Sequence, residues 1–405
     1  MASSSSMTQG SVAPRPAAAL QSSAAAHKAR ITSIDALRGL VMIVMLLDHV
    51  RENLYLHLNV TDPMTLPGTP NDLFFSRLAA HFCAPIFVFL TGLSAWLYAN
   101  PPSGVTRNVR EFLLKRGLLL IALELTVVNL SWNGTYQVLY LQVMWAIGFT
   151  MVALALLSGL PRWALATLGF VIVGGHNAFA GVNVSPDSAW YPLWTLMMHR
   201  GWLVTEGIVK VKVSYPALPW VGVILLGYAF APLFSATVDR LWRQRVLVLT
   251  GLASLAVLAV LRGFNIYGEN APWTPGATTV ETVKSWLNFT KYPPSLDFLL
   301  MTVGGGGMLT LAALEFRDNR VTRILSTFGG AAMFYYILHL YVLMIGYRIM
   351  YAIFGPNQGT RFGVDIDSFW IVWVVWLTMV PLLYFPVKAF ANYKRRTTLS
   401  WVRYF

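Results

Sequence analysis

Charge is scarce in this chain of 405 residues: Asp, Glu, Lys and Arg make up 12 %, against 56 % hydrophobic residues. With a mean hydropathy of +0.57, that balance excludes an ordinary soluble domain and points to a polytopic helical membrane protein. Acidic residues are scarcest, 17 against 30 Lys and Arg, leaving a net charge of +13. A single cysteine, Cys83, excludes an internal disulfide and removes cysteine as a guide to compartment. No run alternates as a membrane strand would, because the apolar runs are too long. Nothing resembles a nucleic-acid module, so no nucleic-acid partner is expected. No convincing internal repeat occurs. Residues 1–29 are rich in Ala, Ser and Pro and lack the apolar core of a signal peptide, so they read as a disordered tail.

What is present is a series of apolar runs. A spanning helix needs about 20 apolar residues, and about ten candidates follow the tail. They lie near 34–55, 78–99, 111–131, 137–157, 161–181, 217–235, 245–262, 296–314, 328–352 and 368–388. The expected fold is therefore an all-α integral membrane bundle. Residues 30–390 form its one domain and 391–405 a basic tail. Basic residues cluster at Arg107, Arg110, Lys115 and Arg116, at Arg240, Arg243 and Arg245, at Arg317, Arg320 and Arg323, and in the C-terminal Lys394, Arg395, Arg396 and Arg403. These segments share one side if both termini are cytoplasmic, as positive-inside bias requires. The long loops 51–77, 182–216 and 263–295 then face outward. They carry Trp190, Trp194, Trp202, Trp220, Trp273 and Trp286, which suit interfacial anchoring or stacking on a sugar. Gly304 to Gly307, inside the eighth run, either break that helix or admit a closely packed neighbour; close packing is the expectation.

One stretch organises the rest: Asp35 to Arg51, Asp-Ala-Leu-Arg-Gly-Leu-Val-Met-Ile-Val-Met-Leu-Leu-Asp-His-Val-Arg. At about 100° per residue Asp35, Arg38, Met42, Met45, His49 and Glu52 share one helical face. Arg38 and His49 are nearly eclipsed, roughly 16 Å apart along the axis. Arg38 and Arg51 can simply snorkel to the two interfaces. Asp48 and His49 need another explanation, since ionisable groups at membrane depth usually face a bundle interior and mark a functional path.

A carboxylate beside an imidazole is the unit that orients a base. Consecutive helical residues diverge by about 100°, however, so Asp48 can serve His81, which opens the next span, rather than His49. A metal site of Asp48, His49, His57 and His81 has no ligand spacing behind it, and no metal is expected. Glu124 and His339 lie mid-span, where each either belongs to a polar path or is satisfied structurally. In Lys291-Tyr292-Pro293-Pro294-Ser295 two prolines fix a loop-to-helix corner, and Lys291 supplies a cation that can hold an anionic group of a ligand.

Ser-Ile-Asp-Ala-Leu-Arg-Gly-Leu-Val-Met with Leu-Asp-His-Val-Arg resembles the opening of bacterial heparan-alpha-glucosaminide N-acetyltransferase-like proteins. So do His-Phe-Cys-Ala-Pro-Ile-Phe-Val-Phe-Leu-Thr-Gly at 81–92, Tyr-Pro-Ala-Leu-Pro-Trp-Val-Gly-Val at 215–223 and Leu-Leu-Gly-Tyr-Ala-Phe at 225–230. Lys-Tyr-Pro-Pro-Ser-Leu at 291–296 and Phe-Tyr-Tyr-Ile-Leu-His at 334–339 continue the match, which covers roughly 30–403. The resemblance implies a transmembrane acyltransferase that takes an acyl group from cytoplasmic acyl-CoA to an acceptor at the other face. An Arg followed eleven residues later by His is also similar to the type-3 acyltransferases; here the pair is Arg38 and His49. That implies His49 as the catalytic histidine, with Arg38 placed for CoA phosphates or structural pairing. The lysosomal relatives instead carry their active histidine between the first two family spans, where this chain offers His57 and His81, so the choice among His49, His57 and His81 stays open.

The reading is an acyltransferase, by resemblance an acetyltransferase, acting on a sugar or glycan outside the cytoplasm of a bacterial inner membrane. Acetyl-CoA or another acyl-CoA is the donor. His49 or His81 serves as base or transient acyl carrier, and Asp48 orients it. Arg38 and Arg116, with Asp35 and Arg51 beside them, hold the CoA; Lys291, Tyr292, His339 and Glu124 face the acceptor. The alternative is a proton-coupled transporter or exporter using Asp48, Glu124 and His339, for which the expected inverted repeats are missing. A non-catalytic scaffold leaves the Asp-His pair unexplained. Homodimerisation is left open by the residues.

Overall fold

The computed structural model of the chain describes residues 32–55, 61–66, 68–364 and 366–405; the expected tail 1–29 and His57 lie outside them. Helix α1 (Thr32–Leu54) is followed by α2 (Asn71–Ala80) and α3 (Cys83–Ala99), which run on as one rod. Next come α4 (Val109–Leu123), a π-turn at Glu124–Val128, and α5 (Asn129–Asn133). Then follow α6 (Val143–Leu157), α7 (Arg162–Gly175), α8 (Tyr191–Met197), α9 (Leu218–Phe230) and α10 (Arg240–Gly263). The last are α11 (Thr279–Leu287), α12 (Leu296–Leu299), α13 (Met308–Leu314), α14 (Arg320–Gly330), α15 (Ala332–Phe354) and α16 (Trp370–Arg396). Helix starts are capped where sequence chemistry allows: Asn108 accepts from Glu111 N, Asp239 from Trp242 N, and Thr278 and Glu281 form a reciprocal capping box.

Each run read as a span contains helix, but five helical runs are long and apolar enough to cross a bilayer by themselves. They are Asn71–Ala99, Arg240–Gly263, Leu296–Leu314, Ala332–Phe354 and Trp370–Arg396. Helix α1 has the length, 23 residues, but carries Asp35, Arg38, Asp48, Arg51 and Glu52 toward its two ends. Helices α6 and α9 are apolar and shorter. Leu249, Leu252, Val257 and Val260 of α10 and Leu377, Leu382 and Phe385 of α16 are exposed, as side chains that meet lipid must be.

The chain is mostly helical rather than wholly so. The run expected as a span from 137 begins with a strand, β1 (Val138–Leu141), and the long loop 182–216 holds α8 and a hairpin of β2 (Gly201–Val204) and β3 (Lys210–Val213). The sheet order is β1-β3-β2, with β1 parallel and β2 antiparallel to β3. Lys-Val-Lys-Val alternates with the two-residue period of a half-covered strand, and Gly207 supplies the positive φ of the connecting turn. Trp220, expected among interfacial residues, is instead fully buried in α9.

Close packing in the bundle rests on small residues meeting in pairs. A Cβ on Gly39 of α1 would lie 1.8 Å from the Leu325 carbonyl oxygen, and one on Gly329 of α14 1.9 Å from that of Asp35. Gly92 of α3 and Gly227 of α9 meet in the same reciprocal way, each 2.1 Å from a backbone oxygen of the other helix. Gly304 to Gly307 both interrupt and pack. Leu300–Gly307 is a π-helical stretch, and a Cβ on Gly306 would meet the Phe82 ring at 2.2 Å.

Candidate active site

Helix α1 has a cavity at each end. The one at its C-terminal end, about 640 Å³, is lined by Met45, Asp48, His49 and Glu52 of α1. Arg77, Ala80, Ala84 and Phe87 come from α2 and α3, Ser131 and Trp132 from α5, and Lys291 and Tyr292 from the Pro-Pro corner. Helix α15 adds Tyr336, Tyr347 and Arg348. The other cavity, about 630 Å³, is lined by Asp35 and Arg38 of α1, Thr91, Ser94 and Tyr98 of α3, Arg107, and Phe112 and Arg116 of α4. Lys394 and Phe405 from the C-terminal segment close it. On α3 the two linings follow one stripe: Ala84 and Phe87 on one side, Thr91 and Ser94 on the other. Phe87 and Thr91 are one helical turn apart, about 6 Å.

At the first cavity His49 pairs with His339, Nδ1 to Nε2 at 2.7 Å, their rings 15° from parallel. His339 Nδ1 lies 2.8 Å from the Tyr335 carbonyl oxygen. A carbonyl only accepts, so His339 Nδ1 carries the proton there. In neutral His339 the Nε2 is then an acceptor, and His49 Nδ1–H must donate to it. His49 is left with its Nε2 lone pair unprotonated. Trp132 packs edge-on against His49 at 5.1 Å between ring centres, fixing the ring from the side. A carbonyl, an imidazole and an imidazole in series thus hold His49 in the tautomer of a general base.

Asp48 does not touch His49. It accepts from Arg51 Nε at 2.9 Å and from Arg77 Nη1, while Arg77 Nη2 donates to Asp62 at 2.5 Å. Asp62 also lies 3.1 Å from His81 Nε2. His81 is fully buried behind Asp62 and is not part of the cavity wall. The two neighbours on α1 thus point to different networks, as the 100° step requires. Burial alone would raise the Asp62 carboxyl, but the Arg77 charge and the His81 hydrogen bond outweigh it and hold the group well below the usual carboxylate range. Sequence reasoning missed Asp62, Arg77, Trp132 and Tyr336. Asp62 and Arg77 both lie in the stretch read as an outward loop, 51–77, and only folding brings them to Asp48.

Glu124 stands apart from both cavities. Its Oε2 accepts from Met144 N at 2.9 Å and Trp145 N at 3.1 Å, so it caps the N-terminus of α6 from a neighbouring helix. Lys291 and Tyr292 do line the His49 cavity, and Tyr292 hydroxyl donates to that of Tyr215 at 3.0 Å. At the other end Arg38 is held by Asp35 at 2.8 Å and Ser94 Oγ at 2.8 Å. Arg116 lies over the Phe112 ring and Arg107 over that of Tyr98, and these two rings stack at 4.2 Å. Arg51 belongs to the Asp48 network, far along α1 from Asp35, Arg38 and Arg116.

A family model for the heparan-alpha-glucosaminide N-acetyltransferase catalytic domain matches residues 30–261, more than half of the chain. The chain belongs to this family. The match runs from the start of α1 into α10 and so takes in Asp35, Arg38, Asp48, His49, Asp62, Arg77 and His81; His339 and Lys291 lie beyond it. The chain is also similar to the alpha-(1->6)-mannopyranosyltransferase B of Corynebacterium glutamicum, 28 % identical over 142 residues. That similarity covers 35 % of this chain and 22 % of that enzyme, so the chain spans about a fifth of its length. With its membrane-crossing helices, this acetyltransferase-family chain is an integral membrane protein.

Proposed function

We propose that the protein transfers an acyl group, acetyl in the first instance, from acyl-CoA to a sugar or glycan acceptor across a bacterial inner membrane. The observation that carries the proposal is the pair of cavities at the two ends of α1, one built on Arg38 and the other on His49. Both termini are cytoplasmic in this reading, so the Arg38 cavity receives CoA and the His49 cavity receives the acceptor. Arg38, Arg107 and Arg116 suit phosphate oxygens, for which the guanidinium fork is well shaped. The stacked Tyr98 and Phe112 offer an aromatic wall for a base. The pantetheine arm then follows the stripe of α1 and α3 toward His49, past Phe87 and Thr91.

His49 Nε2 takes the proton of the acceptor hydroxyl or amine as its oxygen or nitrogen attacks the thioester carbonyl. The tetrahedral intermediate collapses by breaking the carbon–sulfur bond, and the CoA thiolate recovers the proton from His49. His339 accepts the Nδ1–H of His49 throughout and stabilises the imidazolium while it lasts. Asp48, Arg51, Arg77, Asp62 and His81 form the frame that fixes the end of α1 beside the entry of α2 and α3. Glu124 is the cap of α6 in this scheme rather than an acceptor ligand.

The test uses purified protein in detergent with radiolabelled acetyl-CoA, following slow hydrolysis and label retained on protein. His49→Ala is expected to abolish turnover with acetyl-CoA binding intact, whereas His81→Ala weakens folding first. Wild type that neither binds nor hydrolyses acyl-CoA would refute the proposal.

A further inference from the structure

Lys291 is 4 % exposed yet forms the wall of the His49 cavity. Among the described residues no hydrogen-bond acceptor or carboxylate is within bonding distance of its ammonium, which lies over the ring of Tyr292, 5.2 Å from its centre. A buried ammonium without an anion is costly. The nearby acids compensate it only from a distance and leave its three N–H donors without an acceptor. Asp48, Glu52 and Asp62 carry three negative charges, and Arg51 and Arg77, already bonded to them, carry two. Lys291 acts on that cluster only through space and brings it to neutrality.

Three further cations then stand in surplus on the same cavity wall: Arg200, Arg348 and Arg361. None has an ion pair among the described residues. Arg200 lies over the same Tyr292 ring that Lys291 neighbours, 4.8 Å from its centre. Arg348 reaches back to the turn at Gly134, where a Cβ would stand 2.8 Å from its Nη2. The cavity that presents the base thus has a buried lysine in its wall and three arginines around it. Against three surplus charges a single carboxylate falls two short; a terminal phosphoryl group, with up to two charges and more oxygens for the Arg forks, comes closer.

We infer that the acceptor carries a phosphoryl group, held by Lys291, Arg200, Arg348 and Arg361, which presents its hydroxyl or amine to His49. This inference rests on the acyl-transfer reading for the role of His49, though not for the anion site itself. The phosphoryl group can belong to a soluble or polymer-borne sugar phosphate or to a lipid-linked one.

The test is ligand binding to the full-length protein in nanodiscs, by calorimetry, with glucosamine 1-phosphate against glucosamine. The phosphate is expected to bind at least tenfold more tightly. Lys291→Met should lose that preference, Lys291→Arg should keep most of it, and the exposed Lys115→Gln should leave it unchanged. The triple variant Arg200→Gln, Arg348→Gln, Arg361→Gln tests the site should Lys291→Met fail to fold, because all three are exposed. A long-chain polyprenyl phosphate in the nanodisc that competes with the sugar phosphate assigns the lipid-linked source; absence of competition assigns the other. Equal binding of glucosamine and its phosphate, or glucuronate binding as tightly as the phosphate, overturns the inference. Acetyl-CoA is titrated into the same samples. Acetyl-CoA binding without a phosphate preference sinks only the anion site, and a phosphate preference without acetyl-CoA binding sinks only the acyl-transfer reading.

Discussion

Replacing His339 separates a base held in one tautomer from a base that is merely nearby. In the native arrangement the Tyr335 carbonyl fixes His339, and His339 fixes the Nδ1–H tautomer of His49 through the 2.7 Å contact. His339→Ala removes that acceptor from a buried wall, leaving His49 Nδ1–H unpaired and the ring free to exchange tautomers and turn. A lost hydrogen bond is worth about 0.5–1.5 kcal/mol net, rising to about 1–3 kcal/mol where the donor is left unsatisfied. Expressed as misplacement of the base, about 1–2 kcal/mol is roughly a 5- to 30-fold fall in kcat. Loss of the base itself, His49→Ala, should cost about 10²- to 10⁴-fold. His339→Gln provides the control. Its amide NH2 can donate to the Tyr335 carbonyl while its carbonyl oxygen accepts from His49, so it should recover most of the loss. The assay is release of free CoA from acetyl-CoA under saturating donor, with donor affinity measured separately. Should His339→Ala turn over like wild type, or should Gln and Ala be equally impaired, the tautomer argument fails.

Arg38→Gln should raise the KM for acetyl-CoA about tenfold with little change in kcat, since it removes phosphate contacts remote from the reacting carbonyl; an unchanged KM refutes its donor role. Asp62→Asn should destabilise the protein by about 3 kcal/mol at neutral pH, the typical result of removing one partner from a buried charged pair. Because the Asp62 carboxyl is depressed in the folded state, its contribution is fully present above the unfolded value of about 4 and fades as pH falls below it. Thermal unfolding of wild type and Asp62→Asn should therefore converge in acid. Glu124→Ala leaves two backbone donors of α6 unsatisfied and should cost about 2–5 kcal/mol, whereas Glu124→Gln keeps an acceptor and should retain both stability and turnover. Gly39→Ala forces a Cβ to within 1.8 Å of a backbone oxygen of α14, so it should cost at least about 1–3 kcal/mol and lower yield before it alters chemistry.

Much of this was legible from residues that obey a helical period. The 3.6-residue repeat put Asp35, Arg38, Met45, His49 and Glu52 on one face, and both cavities of α1 open on that face. It also warned that Asp48 need not serve His49. What the period cannot reach is pairing between segments far apart in the chain. Asp62 and Arg77 meet Asp48 because folding sets Asp62 against the last turn of α2, where Arg77 bridges it to Asp48. His339 meets His49 across 290 residues of sequence, so it read as an isolated polar residue in a span. Glu124 illustrates the reverse. A carboxylate at membrane depth suggests a path for solute or proton, yet one of its oxygens, Oε2, is taken up by two backbone N–H groups at the buried N-terminus of a shorter helix. The strand β1 escaped notice because Val-Leu-Tyr-Leu is parted from the apolar α6 by Gln142 alone, and one polar residue does not interrupt an apolar run long enough to read as a span.

The two ends of α1 solve opposite electrostatic problems, and that contrast bears on direction. At the Arg38 end the charged side chains of α1 are neutralised locally, Arg38 by Asp35 three residues earlier, and Arg107, Arg116 and Lys394 line the same cavity. At the His49 end a pentad of charged residues, Asp48, Arg51, Glu52, Asp62 and Arg77, ties α1 to α2 and the preceding loop. A helix anchored so firmly beside its base can hold His49 still while a flexible thioester arrives from the other side, which is what proximity catalysis requires. A transporter needs the reverse, an end of α1 free to rearrange as the site opens to alternate sides. The buried Asp48–Arg77–Asp62 bridge opposes that motion, because separating its members exposes uncompensated charge. The ion-paired end of α1 therefore accords with the proposed transfer between two fixed cavities better than with a carrier that moves its own walls.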